Sequence, residues 1–124
     1  MRLHGGKDMN IGGRFWIEHE GNAFVGRGRI ELLERIRDSG SISEAAKSMK
    51  MAYKAAWDSV DAMNRVSKEA VVIRAKGGKA GGGTRLTAYG LGLIDAYRSM
   101  EREHTAFLGE LSARYAAAFA AATQ

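Results

Sequence analysis

Gly40-Ser41-Ile42-Ser43-Glu44-Ala45-Ala46-Lys47-Ser48-Met49-Lys50-Met51-Ala52-Tyr53-Lys54-Ala55-Ala56-Trp57-Asp58 is the stretch on which the fold turns. Ser41 and Glu44 stand at capping-box spacing, and Ser43 is a competing N-cap. From there Ile42, Ala45, Ala46 and Met49 share one face of a short helix whose small residues let a second helix come close. A break follows near Lys50-Met51. Ala52, Ala56, Val60 and Met63 then recur every three or four residues, while Tyr53, Lys54, Trp57, Asp58 and Asn64 lie elsewhere on that surface. Two helices joined by a turn of about three residues, the first short and Ala-rich, match a helix-turn-helix.

Upstream, residues 28–38 carry Ile30, Leu32, Leu33 and Ile36 at helical spacing, with Gly40 suited to a left-handed cap. Residues 14–26 read as a short hairpin, with Phe15, Ile17 and His19 on one face and Trp16 and Glu18 on the other. Gly21-Asn22 supplies its turn. Downstream, Ala70 to Lys76 is β-branched at its centre and reads as a strand. The Gly-rich run Gly77 to Gly83 is a loop, and Thr84 to Thr87 returns as a second strand. A strand, a basic glycine loop and a strand directly after a helix-turn-helix make a wing.

Thr87 can cap a long helix from Ala88. Leu91, Ile94, Tyr97, His104, Leu108, Leu111 and Tyr115 form a stripe along it, widened by Leu93, Met100 and Phe107. A helix from 88 to about 118 would be about 45 Å long, more than a small winged core covers, so the stripe is expected to form a homodimer interface. The expected class is therefore mainly α with small β-hairpins: a winged helix-turn-helix with a long C-terminal dimerisation helix. Its divisions are 1–13, a flexible N-terminal tail; 14–87, the winged domain with its N-terminal hairpin; and 88–124, the dimerisation helix.

The 124 residues carry 19 Lys and Arg against 14 Asp and Glu, a net charge of +5, which suits a polyanionic partner. There is no cysteine, which removes disulfides, thiolate nucleophiles and Cys-based zinc sites from consideration. No apolar run approaches the ~20 residues of a membrane span, and a cytoplasmic location without membrane partner is expected. Enzyme chemistry lacks its motifs. Gly83 is followed directly by Thr84, without the Lys of a phosphate-binding loop. Gly26-Arg27-Gly28 does not extend to a dinucleotide fingerprint, and His19-Glu20 is not followed by a second His at metalloprotease spacing. Glu18, His19 and Glu20 alternate faces of a strand, and His4, His19 and His104 are scattered. A non-enzyme with no cofactor and no metal is expected.

The run from Gly40 to Lys47, then Tyr53-Lys54-Ala55-Ala56-Trp57-Asp58 and Met63-Asn64, is similar to the helix-turn-helix of ModE-type molybdate-responsive transcriptional regulators. Gly77-Gly78-Lys79-Ala80-Gly81-Gly82-Gly83, followed by Leu86-Thr87-Ala88-Tyr89-Gly90, resembles their wing and the start of their linker helix. The likeness covers residues 28 to 115. The helix-turn-helix alone also resembles that of the LysR family, but the glycine-rich wing and Tyr53-Lys54 with Trp57 favour ModE. The resemblance implies that the helix from Ala52 to Val66 enters the major groove of double-stranded DNA as part of a homodimeric regulator linked to molybdate or metal transport genes. Ser43, Tyr53, Lys54, Trp57 and Asp58 are the expected contacts from the helices, and Arg74, Lys76, Lys79 and Arg85 those from the wing. A winged protein-interaction module without DNA binding is the alternative. Family members often cap the recognition helix with Ser or Thr where this chain has Ala52. Full-length members also continue into molybdate-binding modules, and no such module is expected in these residues.

Overall fold

In the computed structural model, which describes residues 9–75 and 83–122, helices dominate and two small antiparallel hairpins punctuate them. The order is β1 (Ile17–His19), β2 (Asn22–Val25), α1 (Arg27–Ser39), α2 (Ile42–Ser48), α3 (Tyr53–Val66), β3 (Val72–Arg74), β4 (Thr84–Leu86), α4 (Ala88–Arg114) and α5 (Ala116–Ala122). Two compact units are distinguished. One runs from Trp16 to Tyr97, and the other combines the residues before it with those after it.

In the first unit, helix α1 is the central element. Ile30, Leu32, Leu33 and Ile36 are all buried, each worth roughly 1.5–3 kcal/mol relative to exposure. The helix packs on α2, β2 and β4, while α3 packs on α2 and β2. It ends as its sequence requires: Gly40 adopts φ 71°, and its N–H donates to the Ile36 carbonyl. Ser41 then caps α2 by accepting from Glu44 N at 3.0 Å. The box is only half closed, because Ser41 N donates instead to Ser39 Oγ. Arg35 joins the two helices, donating to Glu31 on its own helix at 2.6 Å and to Ser48 Oγ at the end of α2 at 2.9 Å.

The first hairpin differs by one residue from the expected turn. Positive φ falls on Glu20 and Gly21, and Asn22 pairs with His19 as the first residue of β2. A two-residue type I′ loop takes positive φ at both central positions, and the pairing of His19 with Asn22 makes these Glu20 and Gly21. Arg29 fastens this hairpin to α1 by donating to the Phe24 carbonyl at 2.8 Å.

The second hairpin is held by backbone. Val72 pairs with Leu86, Ile73 with Arg85 and Arg74 with Thr84. Thr84 N donates to the Gly40 carbonyl at 3.1 Å. Thr87 begins α4 as the sequence suggests, its hydroxyl accepting from Gly90 N at 3.0 Å and donating to the Ala70 carbonyl at 2.6 Å. Helical structure breaks at Tyr115, so the single helix expected to about 118 is α4 followed by α5.

In the second unit, residues 9–15 lie along α4. Ile11 N donates to Ser112 Oγ at 2.9 Å. Gly13 sits against Leu108 and His104, and the Phe15 and His104 rings meet edge to face at 5.1 Å. Of the expected flexible tail, residues 1–8 lie outside the described residues, whereas Ile11 and Gly13 are engaged in these contacts. Among the described residues, no helix is long and apolar enough to cross a membrane, and no cluster of three His, Asp or Glu could hold a metal ion.

Close backbone approach, rather than unusual dihedrals, fixes two glycines. A Cβ on Gly83 would stand 2.5 Å from the Gly40 carbonyl oxygen, and one on Gly90 would collide with the Val71 carbonyl. Gly92, on α4, faces open space. Gly83→Ala and Gly90→Ala are each expected to lower stability by about 1–3 kcal/mol in urea unfolding, the usual cost of forced overpacking. Gly92→Ala is expected to raise it by about 0.5–1 kcal/mol through helix propensity. Equal responses at all three sites would contradict this packing.

Candidate nucleic-acid interface

The first turn of α3 is the most open part of the helix pair. Tyr53 is 55% exposed and Lys54 is exposed beside it. Lys54 Nζ donates to Asp58 Oδ2 one turn on, at 3.0 Å, with both side chains largely in solvent. An exposed i,i+4 pair of this kind is worth well under about 1 kcal/mol. Asp58 therefore orients Lys54 without sequestering it. Ser43 is exposed near the start of α2.

Helix α3 starts without a side-chain cap. Ala52 occupies the N-cap position with extended φ and ψ, and no side chain accepts from the first-turn amides. The turn before it places Lys50 at φ 56°, and Met51 N donates to the Ala46 carbonyl at 2.9 Å. A left-handed residue here lets the chain reverse out of α2 within a few residues and begin α3.

The β3–β4 hairpin is fastened to α3 at two points. Asn64, two residues before the end of α3, accepts from Val71 N through Oδ1 at 2.7 Å and donates to the Val72 carbonyl through Nδ2 at 3.1 Å. Its amide thus completes the backbone hydrogen bonding of the chain as it enters β3. At the far end of β3, the Arg74 guanidinium lies over the Trp57 indole, 3.8 Å from the ring centroid. Strand alternation explains why this residue does so. Val72 and Arg74 share one face of β3, so Arg74, though itself exposed, stands on the same side as the buried Val72. Arg85 pairs with Ile73 on the other face and is exposed.

These positions sort the expected contact residues. Ser43, Tyr53, Lys54, Asp58 and Arg85 are exposed. Trp57 is half-buried, with its indole N–H covered and unpartnered among the described residues, and Arg74 is engaged with it. Lys76 and Lys79, with the loop Gly77 to Gly82, lie outside the described residues. The expected dimer stripe divides. Ile94 and Tyr97 are each only 2% exposed within the single chain and so present no surface to a partner. The helical stripe that contains them serves intramolecular burial at those two positions. His104 and Leu108 are half-buried beside Gly13 and Phe15, and Leu111 is half-buried too. Leu91 and Tyr115 remain exposed, as do Met100 and Phe107.

Asn64 and Gly83 matter more than residue patterns suggest. Their partners are backbone groups of other segments, which leave no periodic trace in the sequence. Away from this face, Arg37 Nε donates to Asp38 at 2.8 Å. That hydrogen bond holds the exposed Asp38 carboxyl below its ordinary pKa.

No family model matches the chain. Individual proteins do. Over 86 residues the chain is 49% identical to the molybdenum transport protein ModE of Azotobacter vinelandii, covering 69% of this chain and 32% of that protein. It is 52% identical over 69 residues to the DNA-binding transcriptional dual regulator ModE of Escherichia coli, covering 56% of this chain and 26% of that one. It is also 46% identical over 97 residues to the molybdenum-pterin-binding protein MopB of Rhodobacter capsulatus, covering 78% of this chain and 36% of that one. The chain therefore spans about a third of the length of the relatives it matches.

The open N-terminus of α3 is a stability deficit that a hydroxyl can repair. Ala52→Ser is expected to stabilise the chain by about 1 kcal/mol, a rise of a few degrees in Tm. An unchanged or lowered Tm would mean that the first-turn amides already have acceptors.

Proposed function

We propose that this chain, a relative of the ModE-type transcriptional regulators over most of its length, is a winged helix-turn-helix module that binds double-stranded DNA and acts in transcription regulation. In this reading α2 and α3 form the helix-turn-helix, α3 enters the major groove by its N-terminal turn, and β3–β4 is the wing beside it. The observation that carries the reading is the exposed pair Tyr53 and Lys54 on the helix to which the hairpin is directly fastened, through Asn64 and the Arg74–Trp57 stack. A helix free at its tip and braced along its side by a hairpin suits a groove, which admits the helix while the flanking phosphates meet the flap.

The residues divide the work by chemistry. Tyr53 offers a hydroxyl to a phosphate or a ring to a thymine methyl. Lys54, held forward by Asp58, offers charge to a phosphate or to a guanine edge. Ser43 and Arg85 are polar and cationic groups suited to backbone contact. Lys76 and Lys79 add positive charge to the sequence between β3 and β4. The +5 net charge favours association with a polyanion. Relatives named as a molybdenum transport protein and as a molybdenum-pterin-binding protein support target genes concerned with molybdate or metal transport.

We further propose that the protein acts as a homodimer. Met100 and Phe107 stand seven residues apart on α4 with their side chains exposed, a spacing that keeps them on one helix face. Two copies would present two recognition helices to half-sites about 34–36 Å apart, or a multiple of that distance.

Fluorescence anisotropy with random duplex DNA at two salt concentrations tests the function. The expected result is binding in the range of about 1–100 μM at physiological salt that tightens steeply as salt falls. Lys54→Ala should weaken it and reduce the salt slope by about one if the ammonium meets a phosphate. Failure to bind at either salt concentration would favour the protein-interaction module. Sedimentation equilibrium should give the mass of two chains, with Phe107→Glu shifting it to one. A monomeric wild type overturns the dimer.

A further inference from the structure

We infer that Arg74 is a positioning residue: stacked on Trp57, it fixes the distance between hairpin and recognition helix, and so governs sequence discrimination rather than serving as one more phosphate contact. This rests on the DNA-binding reading above. The stack joins the last residue of β3 to the middle of α3. Asn64 already ties the beginning of β3 to α3. Two attachments at opposite ends of a three-residue strand restrain its rotation as well as its separation, which neither does alone.

The chemistry of the pair points the same way. A guanidinium 3.8 Å above an indole is at stacking distance, and the plane of Arg matches the ring where the tetrahedral ammonium of Lys does not. The Trp57 N–H is buried with no hydrogen-bond partner among the described residues. The ring face is thus the part of Trp57 in use, and a large indole at this position is otherwise an uncompensated buried donor. Arg74 is otherwise exposed, so the stack on Trp57 is what restrains its guanidinium.

Charge and positioning are separable because Lys keeps the first and loses most of the second. The test compares wild type, Arg74→Lys, Arg74→Met, Trp57→Phe, Trp57→Leu and the Arg74→Lys/Trp57→Leu double variant. Each is first shown folded by circular dichroism, then titrated with random duplex and with the tightest duplex selected from a random pool. The expected result is a specificity ratio about three- to tenfold lower in Arg74→Lys and Trp57→Leu, with the salt slope of Arg74→Lys unchanged. Trp57→Phe should keep most of the ratio, since it keeps a ring face. The double variant should be no worse than Trp57→Leu alone, the non-additivity of a pair acting as one unit.

An Arg74→Lys protein with wild-type specificity, together with a salt slope reduced by about one in Arg74→Met, would make Arg74 a plain phosphate contact and overturn the inference. Additive effects in the double variant would overturn it too. A wild type that binds no duplex fails the DNA reading instead. Trp57 emission, measured in a Trp16→Phe background, then reports on the stack by itself. A spectral shift on Arg74→Lys supports the pair, and an unchanged spectrum overturns it.

Discussion

The hydrogen bond from Thr84 N to the Gly40 carbonyl oxygen joins the end of α1 to the start of β4, and much of the first unit depends on that approach being possible. Two glycines make that approach possible, one by its backbone conformation and one by leaving space. Gly40 takes the left-handed conformation that closes α1, and Gly83 leaves empty the space a Cβ would dispute with the same carbonyl. The turn that ends α1 thereby becomes the anchor for a hairpin more than forty residues later. With β4 seated there, β3 follows by pairing. Thr87 then finds the Ala70 carbonyl and caps α4, and Gly90 can lie against Val71. The chain is closed by backbone contacts made at glycines and one threonine, while the apolar residues of α1 supply the driving force.

The fold was largely legible in the sequence because its elements are signalled locally. Ile30, Leu32, Leu33 and Ile36 announce α1, Gly40 its end, Ser41 the start of α2 and Thr87 the start of α4. Each depends on neighbours within a turn or two, and each is found in that role. The departures come where partners are distant. The positive φ of Glu20 follows from which residue of β2 pairs with His19, and the engagement of Ile11 follows from Ser112, about a hundred positions away. Periodicity also cannot tell which protein surface covers a stripe. Ile94 and Tyr97 continue the apolar pattern of α4, yet they are buried within the chain itself.

At the candidate interface residue types were legible in the sequence, and the structure adds which of them are exposed. Tyr53 and Lys54 stand exposed at the tip of α3, where helical phase and the break at Lys50-Met51 put them. Arg74 and Arg85 are indistinguishable as wing cations in sequence, yet strand alternation sends one onto Trp57 and the other outward. Asn64 reads as a polar surface residue until Val71 and Val72 come within hydrogen-bonding distance. Parity along a three-residue strand thus separates residues that composition groups together.

Such a division has a consequence for how a small module can read a groove. An exposed ion pair like Lys54 with Asp58 is weak, so under the proposed function the lysine would exchange its carboxylate for a phosphate at little cost. Contacts of that sort are tolerant of sequence. Discrimination requires instead that a few groups be held in place before the duplex arrives, since ordering them on binding would offset the gain. The amide of Asn64 and the stack of Arg74 on Trp57 hold the β3–β4 hairpin against α3 without relying on bulk hydrophobic burial, which a hairpin of two three-residue strands has little area to provide. The β3–β4 hairpin takes its rigidity from polar and aromatic contacts to α3 because it is too short to generate it alone, and α3 is the nearest body stiff enough to brace it.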